Sequence, residues 1–94
     1  MRTINRYELA TTNGRKSFYR KAIIEQHEDF KSLISYETEV AKVYKNGNIE
    51  VYGIFSNTTL IHIRTFLESE GFGKLNKKQI EGMINKWKFM TNNL

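Results

Sequence analysis

The chain contains no cysteine, which excludes a disulfide framework, a zinc knuckle and a thiol nucleophile. Ordinary packing and hydrogen bonding must hold the fold, and a cytoplasmic setting is expected. Proline is absent as well, so no proline-rich linker divides the chain. No apolar run approaches the roughly 18 to 20 residues that span a bilayer, and the opening Met1-Arg2-Thr3-Ile4-Asn5-Arg6 lacks the apolar core of a signal peptide. No membrane partner is expected. Histidine and aspartate are scarce, with two of the first (His27, His62) and one of the second (Asp29), whereas acid, base or nucleophilic work needs several such groups to converge. His62 borders an apolar helical stripe, and the serine nearest it in sequence, Ser56, is expected to cap that helix. Glu25, His27, Glu28 and Asp29 can ligate metals, but they lack a recognised ligand spacing and read as a solvated turn. The six glycines never form a phosphate-binding G-x-G-x-x-G. The reading is therefore of a protein that is not an enzyme and needs neither metal nor cofactor.

What is present is one small domain, residues 1–94. An apolar fraction of 39%, with 13% aromatic residues, fills one modest core but not two and is too high for a disordered tail. The net charge of +5 is unevenly spread. Residues 1–21 hold six basic side chains against one acidic, residues 74–94 hold five against one, and the middle holds four against eight. Two basic ends thus flank an acidic middle, a pattern that suits contact with a polyanion or plain solvation.

Two Asn-Gly dipeptides, Asn13-Gly14 and Asn46-Gly47, sit between runs of aromatic and β-branched residues. Each predicts a hairpin closed by a type I′ turn, because Asn and Gly adopt positive φ at least cost. Strands are expected near residues 7–11, 17–26, 33–44 and 48–55, with His27-Glu28-Asp29-Phe30 as the remaining connection. Alternation changes phase between Ile34-Tyr36-Thr38-Val40 and Ala41-Val43, which predicts a bulge near Val40-Ala41. After Phe55 the apolar period becomes 3.6. Ser56 caps a helix over 57–70 whose stripe is Leu60, Ile63, Phe66 and Leu67, with Gly71 beyond its end. Asn76 caps a second helix over 77–90 with the stripe Ile80, Met83, Ile84, Trp87 and Met90. The fold class is α+β: a four-stranded antiparallel meander packed against two C-terminal helices, ββββαα. Its expected core is Phe18, Ile24, Val51, Phe55, Leu60, Ile63, Leu67, Ile80, Ile84 and Trp87.

Interleaved cations and rings are the main functional signal. Arg15, Lys16, Tyr19, Arg20 and Lys21 share one hairpin with Phe18, and Lys74, Lys77 and Lys78 are placed to extend the patch. Cations contact phosphates without reading sequence, and rings stack on unpaired bases or pack on a protein partner. Phe89 falls opposite the second helical stripe and marks a homodimer or partner contact.

The blocks Arg15-Lys16-Ser17-Phe18-Tyr19-x-Lys21-Ala22, Ser35-Tyr36-x-Thr38-x-Val40-Ala41 and Ser56-x-Thr58-Thr59-x-x-His62-Ile63-x-x-Phe66-Leu67 carry a resemblance. Over roughly Tyr7 to Phe72 they resemble small uncharacterised proteins carried by phages and mobile elements of low-GC Gram-positive bacteria. The resemblance brings no established activity with it. Small phage proteins without a catalytic inventory act by occupying a surface, so the expectation is an accessory protein that engages a nucleic acid or host nucleoprotein, as a stoichiometric inhibitor of a host defence system of the anti-CRISPR type. Strands followed by a helix are also similar in architecture to the DNA-binding modules of AP2-like domains and phage integrases, so a DNA-binding regulatory module is the alternative expectation.

Overall fold

The computed structural model describes residues 3–11, 18 and 20–84. Five strands, β1 (Thr3–Glu8), β2 (Ala22–His27), β3 (Phe30–Ser35), β4 (Thr38–Tyr44) and β5 (Ile49–Val51), precede two helices, α1 (Asn57–Ser69) and α2 (Lys77–Met83). The strands form an antiparallel meander in the order β1-β2-β3-β4-β5. The α+β class and the strand-then-helix order are as the sequence predicts, but the sheet has five strands rather than four.

The extra strand arises inside the single strand expected over residues 33–44. That run is β3 and β4, joined by Tyr36-Glu37, with Ser35 paired to Thr38. Both turn residues have positive φ, 50° and 71°, the geometry of a type I′ turn. Neither is glycine or asparagine, the residues that mark such turns, so composition hides it. The expected bulge is present: Leu33 pairs with Ala41 while Ile34 pairs with Glu39, leaving Val40 as the unpaired residue. The extra residue lets adjacent Val40 and Ala41 both reach the core.

At Asn46-Gly47 the chain turns, but not in the expected geometry. Gly47 N–H donates to the Tyr44 carbonyl at 2.9 Å, and of the dipeptide only Gly47 has positive φ, at 93°. This is a type I turn closed by a left-handed glycine, which serves the longer loop between Tyr44 and Ile49. Asn46 contributes its side chain instead, Oδ1 accepting from Asn48 N–H at 3.0 Å. Asn13-Gly14 lies outside the described residues.

Cross-strand pairing places Ile24, Leu33, Ala41 and Val51 side by side on one face. There they form the core with Phe18, Ile63, Phe66 and Leu67, and with Ile80 of α2. Helix α1 packs on β3 and β4, and α2 packs on β5. The N-terminus of α1 is fixed as expected, Ser56 Oγ accepting from Thr59 N–H at 3.1 Å. At its other end Gly71 has φ 94°. Phe72 N–H reaches the Leu67 carbonyl and Gly71 N–H reaches that of Glu68, a Schellman closure. Ser56→Ala is expected to cost about 1 kcal/mol and Ser56→Asp to retain most of the cap. Paired thermal melts of the two variants measure this.

Two expectations are corrected. Helix α2 ends at Met83, because Ile84 leaves helical ψ (134°) and forms a parallel bridge with Val51. Gly82 in the last turn weakens the helix at that point. Ile84 is partly buried against the core, while Lys86, Trp87, Lys88, Phe89 and Met90 lie outside the described residues. Phe55, expected in the core, is 68% exposed. Strand β5 stops at Val51, so strict alternation does not reach Phe55. Its own φ is 66°, and its ring lies over Gly53, where a Cβ would sit 3.0 Å from the ring.

Candidate binding site

The end of the sheet where β2 begins, β3 ends and α1 starts gathers most of the polar chemistry. Ser35, the last residue of β3, places Oγ 2.8 Å from His62 Nδ1 and 3.0 Å from Thr59 Oγ1. Ser56 Oγ donates to Thr59 Oγ1 at 3.2 Å. The contacts run in one chain from Ser56 through Thr59 and Ser35 to His62 Nδ1. Ser35, Thr59 and His62 are all buried, and the His62 ring meets the edge of Phe18 at 4.8 Å. A serine beside a histidine suggests a nucleophile, but little of either reaches solvent: His62 is 1% exposed and Ser35 2%, with Ser35 and Thr59 at the floor of the cavity above them. The network joins α1 to the sheet.

Above it the surface is aromatic. Tyr36 and Phe55 are exposed and line a cavity of about 260 Å³ with Thr38 and Ser56. Both rings stand on backbone of positive φ. Such strain persists only where surrounding structure enforces it, and it clusters at ligand sites. Lys21 carries its ammonium 5.8 Å from the Tyr36 ring centroid, and Lys21 C=O accepts from Tyr36 N–H at 2.9 Å. Arg20, also at positive φ (64°), and Lys21 line a neighbouring cleft of about 590 Å³ with Arg6, Glu8 and Glu37. One end of the molecule therefore presents two rings at a cavity and, in the adjoining cleft, Arg6, Arg20 and Lys21 tempered by Glu8 and Glu37.

The sheet face opposite the core has a different character. Glu25, Ser32, Lys42 and Glu50 pair across four strands in one row. Ser32 Oγ donates to Glu39 at 2.6 Å, and Glu50 accepts from Tyr44 at 2.7 Å and from Tyr52 at 3.0 Å. The bond to Glu50 pushes the Tyr44 phenol up to about 12, and burial followed by the same carboxylate raises that of Tyr52. Lys42 sits over the Phe30 ring at 4.5 Å, and Arg6 pairs with Glu25. Carboxylates outnumber cations along this row.

Of the residues singled out in the sequence, Arg20 and Lys21 are brought together at the aromatic end. Arg15, Lys16 and Tyr19 lie outside the described residues. Lys74, Lys77 and Lys78 are exposed, but they do not extend that patch. Helix α2 packs on β5, three strands from β2, which is about 14 Å at ordinary strand spacing. Glu25, His27, Glu28 and Asp29 form no metal-ligating group among the described residues. Tyr36, Phe55 and Ser35 were not legible as site residues, since exposure of the first two follows from left-handed turns and Ser35 meets His62 only through the fold.

The fold and site define a small α+β domain with one sheet face under helices, the other open, and an aromatic-basic rim at one end. The chain belongs to a family of unknown function, DUF8033, whose model matches residues 7–82. No curated protein and no solved structure matches it. No helix among the described residues is long and apolar enough to cross a membrane.

Proposed function

We propose that the protein is a binder rather than an enzyme, and that it occupies a nucleic acid or nucleoprotein target through the Arg20, Lys21, Tyr36 and Phe55 rim. The observation that carries this reading is Tyr36: an exposed ring on strained backbone, beside a cavity, with the Lys21 ammonium over it. A ring with a cation beside it suits an unpaired base and its phosphate, since stacking tolerates any base and the ammonium meets the backbone. The anti-defence role expected of a small mobile-element protein is the setting in which a stoichiometric binder acts. The alternative, a regulatory module that lays its open sheet face in a DNA groove, is less favoured because Glu25, Glu39 and Glu50 there repel phosphates.

The test is titration of labelled single-stranded and double-stranded oligonucleotides between about 50 and 200 mM salt. Single strands are expected to bind better. Tyr36→Ala is expected to cost about 1 to 3 kcal/mol of single-strand affinity. Lys21→Gln is expected to lower the salt slope by about 0.7. Absence of binding to either form at low salt overturns the nucleic-acid reading.

A further inference from the structure

The two edges of the sheet are unequal. Strand β5 has three residues and is covered by α2, with Val51 bridged to Ile84. Strand β1 has six residues, and among the described residues nothing pairs with its outer edge. Leu9 N–H donates inward to the Ala22 carbonyl. By alternation Tyr7 and Asn5 also pair inward, and the N–H and C=O groups of Arg6 and Glu8 point out. The Arg6 amide agrees with this, because it donates to the Asn5 side chain at 2.9 Å rather than to β2. Exposed edges of this kind recruit another strand unless charge or shape prevents it.

The geometry points to a second copy of this chain as the occupant, with β1 pairing antiparallel to β1 about Tyr7. The charges select that register. Centred on Tyr7, each Arg6 faces Glu8 of the second copy, twice by symmetry. Arg6 then bridges that carboxylate and Glu25 of its own chain, and Glu8 adds the facing Arg6 to the Arg20 N–H it already accepts from. The outward groups of both residues form the hydrogen-bonded pairs as the Arg6 amide leaves the Asn5 side chain. Centring on Arg6 sets like charges opposite each other, as does centring on Glu8, and either arrangement is destabilising. Tyr7, among the few large exposed apolar side chains at 39%, then meets its counterpart as a non-hydrogen-bonded pair, the closer of the two antiparallel pairings. The result is a two-fold dimer with one continuous ten-stranded sheet, both aromatic-basic rims remaining accessible. This contact is separate from the Phe89 face expected from the sequence and does not depend on what the rim binds.

Because the chain lacks cysteine, single introduced thiols report the register directly. Facing Cα atoms in a non-hydrogen-bonded pair lie about 4.5 Å apart, within disulfide range. Under mild oxidation Tyr7→Cys is expected to give a covalent dimer and Asn5→Cys to remain monomeric. Light scattering across a concentration series is expected to show a reversible dimer for the unmodified chain. That dimer is lost in Glu8→Arg, which sets arginines opposite each other, and regained when Arg6→Glu is added. A chain that stays monomeric at every concentration overturns the proposal. So does cross-linking at position 5 in preference to 7, or a dimer indifferent to both charge variants.

Discussion

Phe66→Ala is expected to lower stability by about 3 to 5 kcal/mol, while Phe55→Ala, eleven positions earlier, is expected to leave it within about 1 kcal/mol of the unmodified chain. Both residues fall on apolar runs, and the sequence places Phe55 in the core and Phe66 only in the stripe of the first helix. The fold separates them. Phe66 is fully buried at the centre of the core, where α1 lies on β3 and β4. Truncation there removes the ring's transfer free energy and leaves a cavity that closely packed neighbours fill only in part. A loss of that size is a large share of the roughly 5 to 15 kcal/mol typical of a domain. Phe55 is largely exposed and rests on Gly53, so little apolar area returns to water when it is cut back. The binding effects are expected to run the other way, with Phe55→Ala weakening the aromatic rim. Urea titrations of the two variants decide the matter, and equal losses would place Phe55 in the core after all.

Replacing Tyr36-Glu37 by Asn-Gly is expected to stabilise the protein by about 1 to 2 kcal/mol and to weaken nucleic-acid binding at the same time. Each L residue held at positive φ costs about 1 kcal/mol or more, and two stand in succession here. Asn-Gly adopts the same type I′ turn with little strain, so the hairpin between Ser35 and Thr38 is kept. Binding falls because the Tyr36 ring, beside Lys21 at the mouth of the cavity, is gone. Glu37→Gly alone separates the two effects. It is expected to recover about 1 kcal/mol while leaving the ring in place and binding undiminished. Denaturation of both variants beside oligonucleotide titration provides the readout, and no gain in stability would show the turn to be unstrained.

Legibility of the fold followed how local the determining physics is. Ser56, Gly71 and Asn76 were readable because a cap depends on one side chain or one φ within a few residues of the helix end. The bulge was readable from adjacent apolar Val40 and Ala41 within β4, whereas the alternation from Ile34 to Val40 that framed it crosses the Tyr36-Glu37 turn and two strands. The Tyr36-Glu37 turn was not, since composition opposes it and the tertiary fold enforces it. Alternation carried four residues beyond the last paired one, Val51, misplaces Phe55. Of the site, Arg20 and Lys21 are visible in the sequence as a cluster of charge. Their ring, Tyr36, reads only as one member of a strand face. The link from Ser35 to His62 spans 27 positions, and nothing near either residue announces the other. Lys74, Lys77 and Lys78 have the charge of the cluster but not its location, which only strand order decides.

Val40 gives the hairpin a length tolerance that no other position in β3 or β4 shares. It is the one residue between Leu33–Ala41 and Ile34–Glu39 that pairing with β3 does not use. A chain one residue shorter there keeps every partner between β3 and β4, the Tyr36-Glu37 turn and the outward setting of Glu39. It gives up the buried Val40 side chain, the 2.9 Å bond its carbonyl accepts from Tyr52 N–H, and the added twist of the bulge. A deletion elsewhere in these two strands reverses the face of all residues between the gap and the turn. Relatives of unequal length between residues 30 and 44 are therefore expected to place their gap at this bulge, where β4 carries a residue for packing that it does not need for pairing with β3.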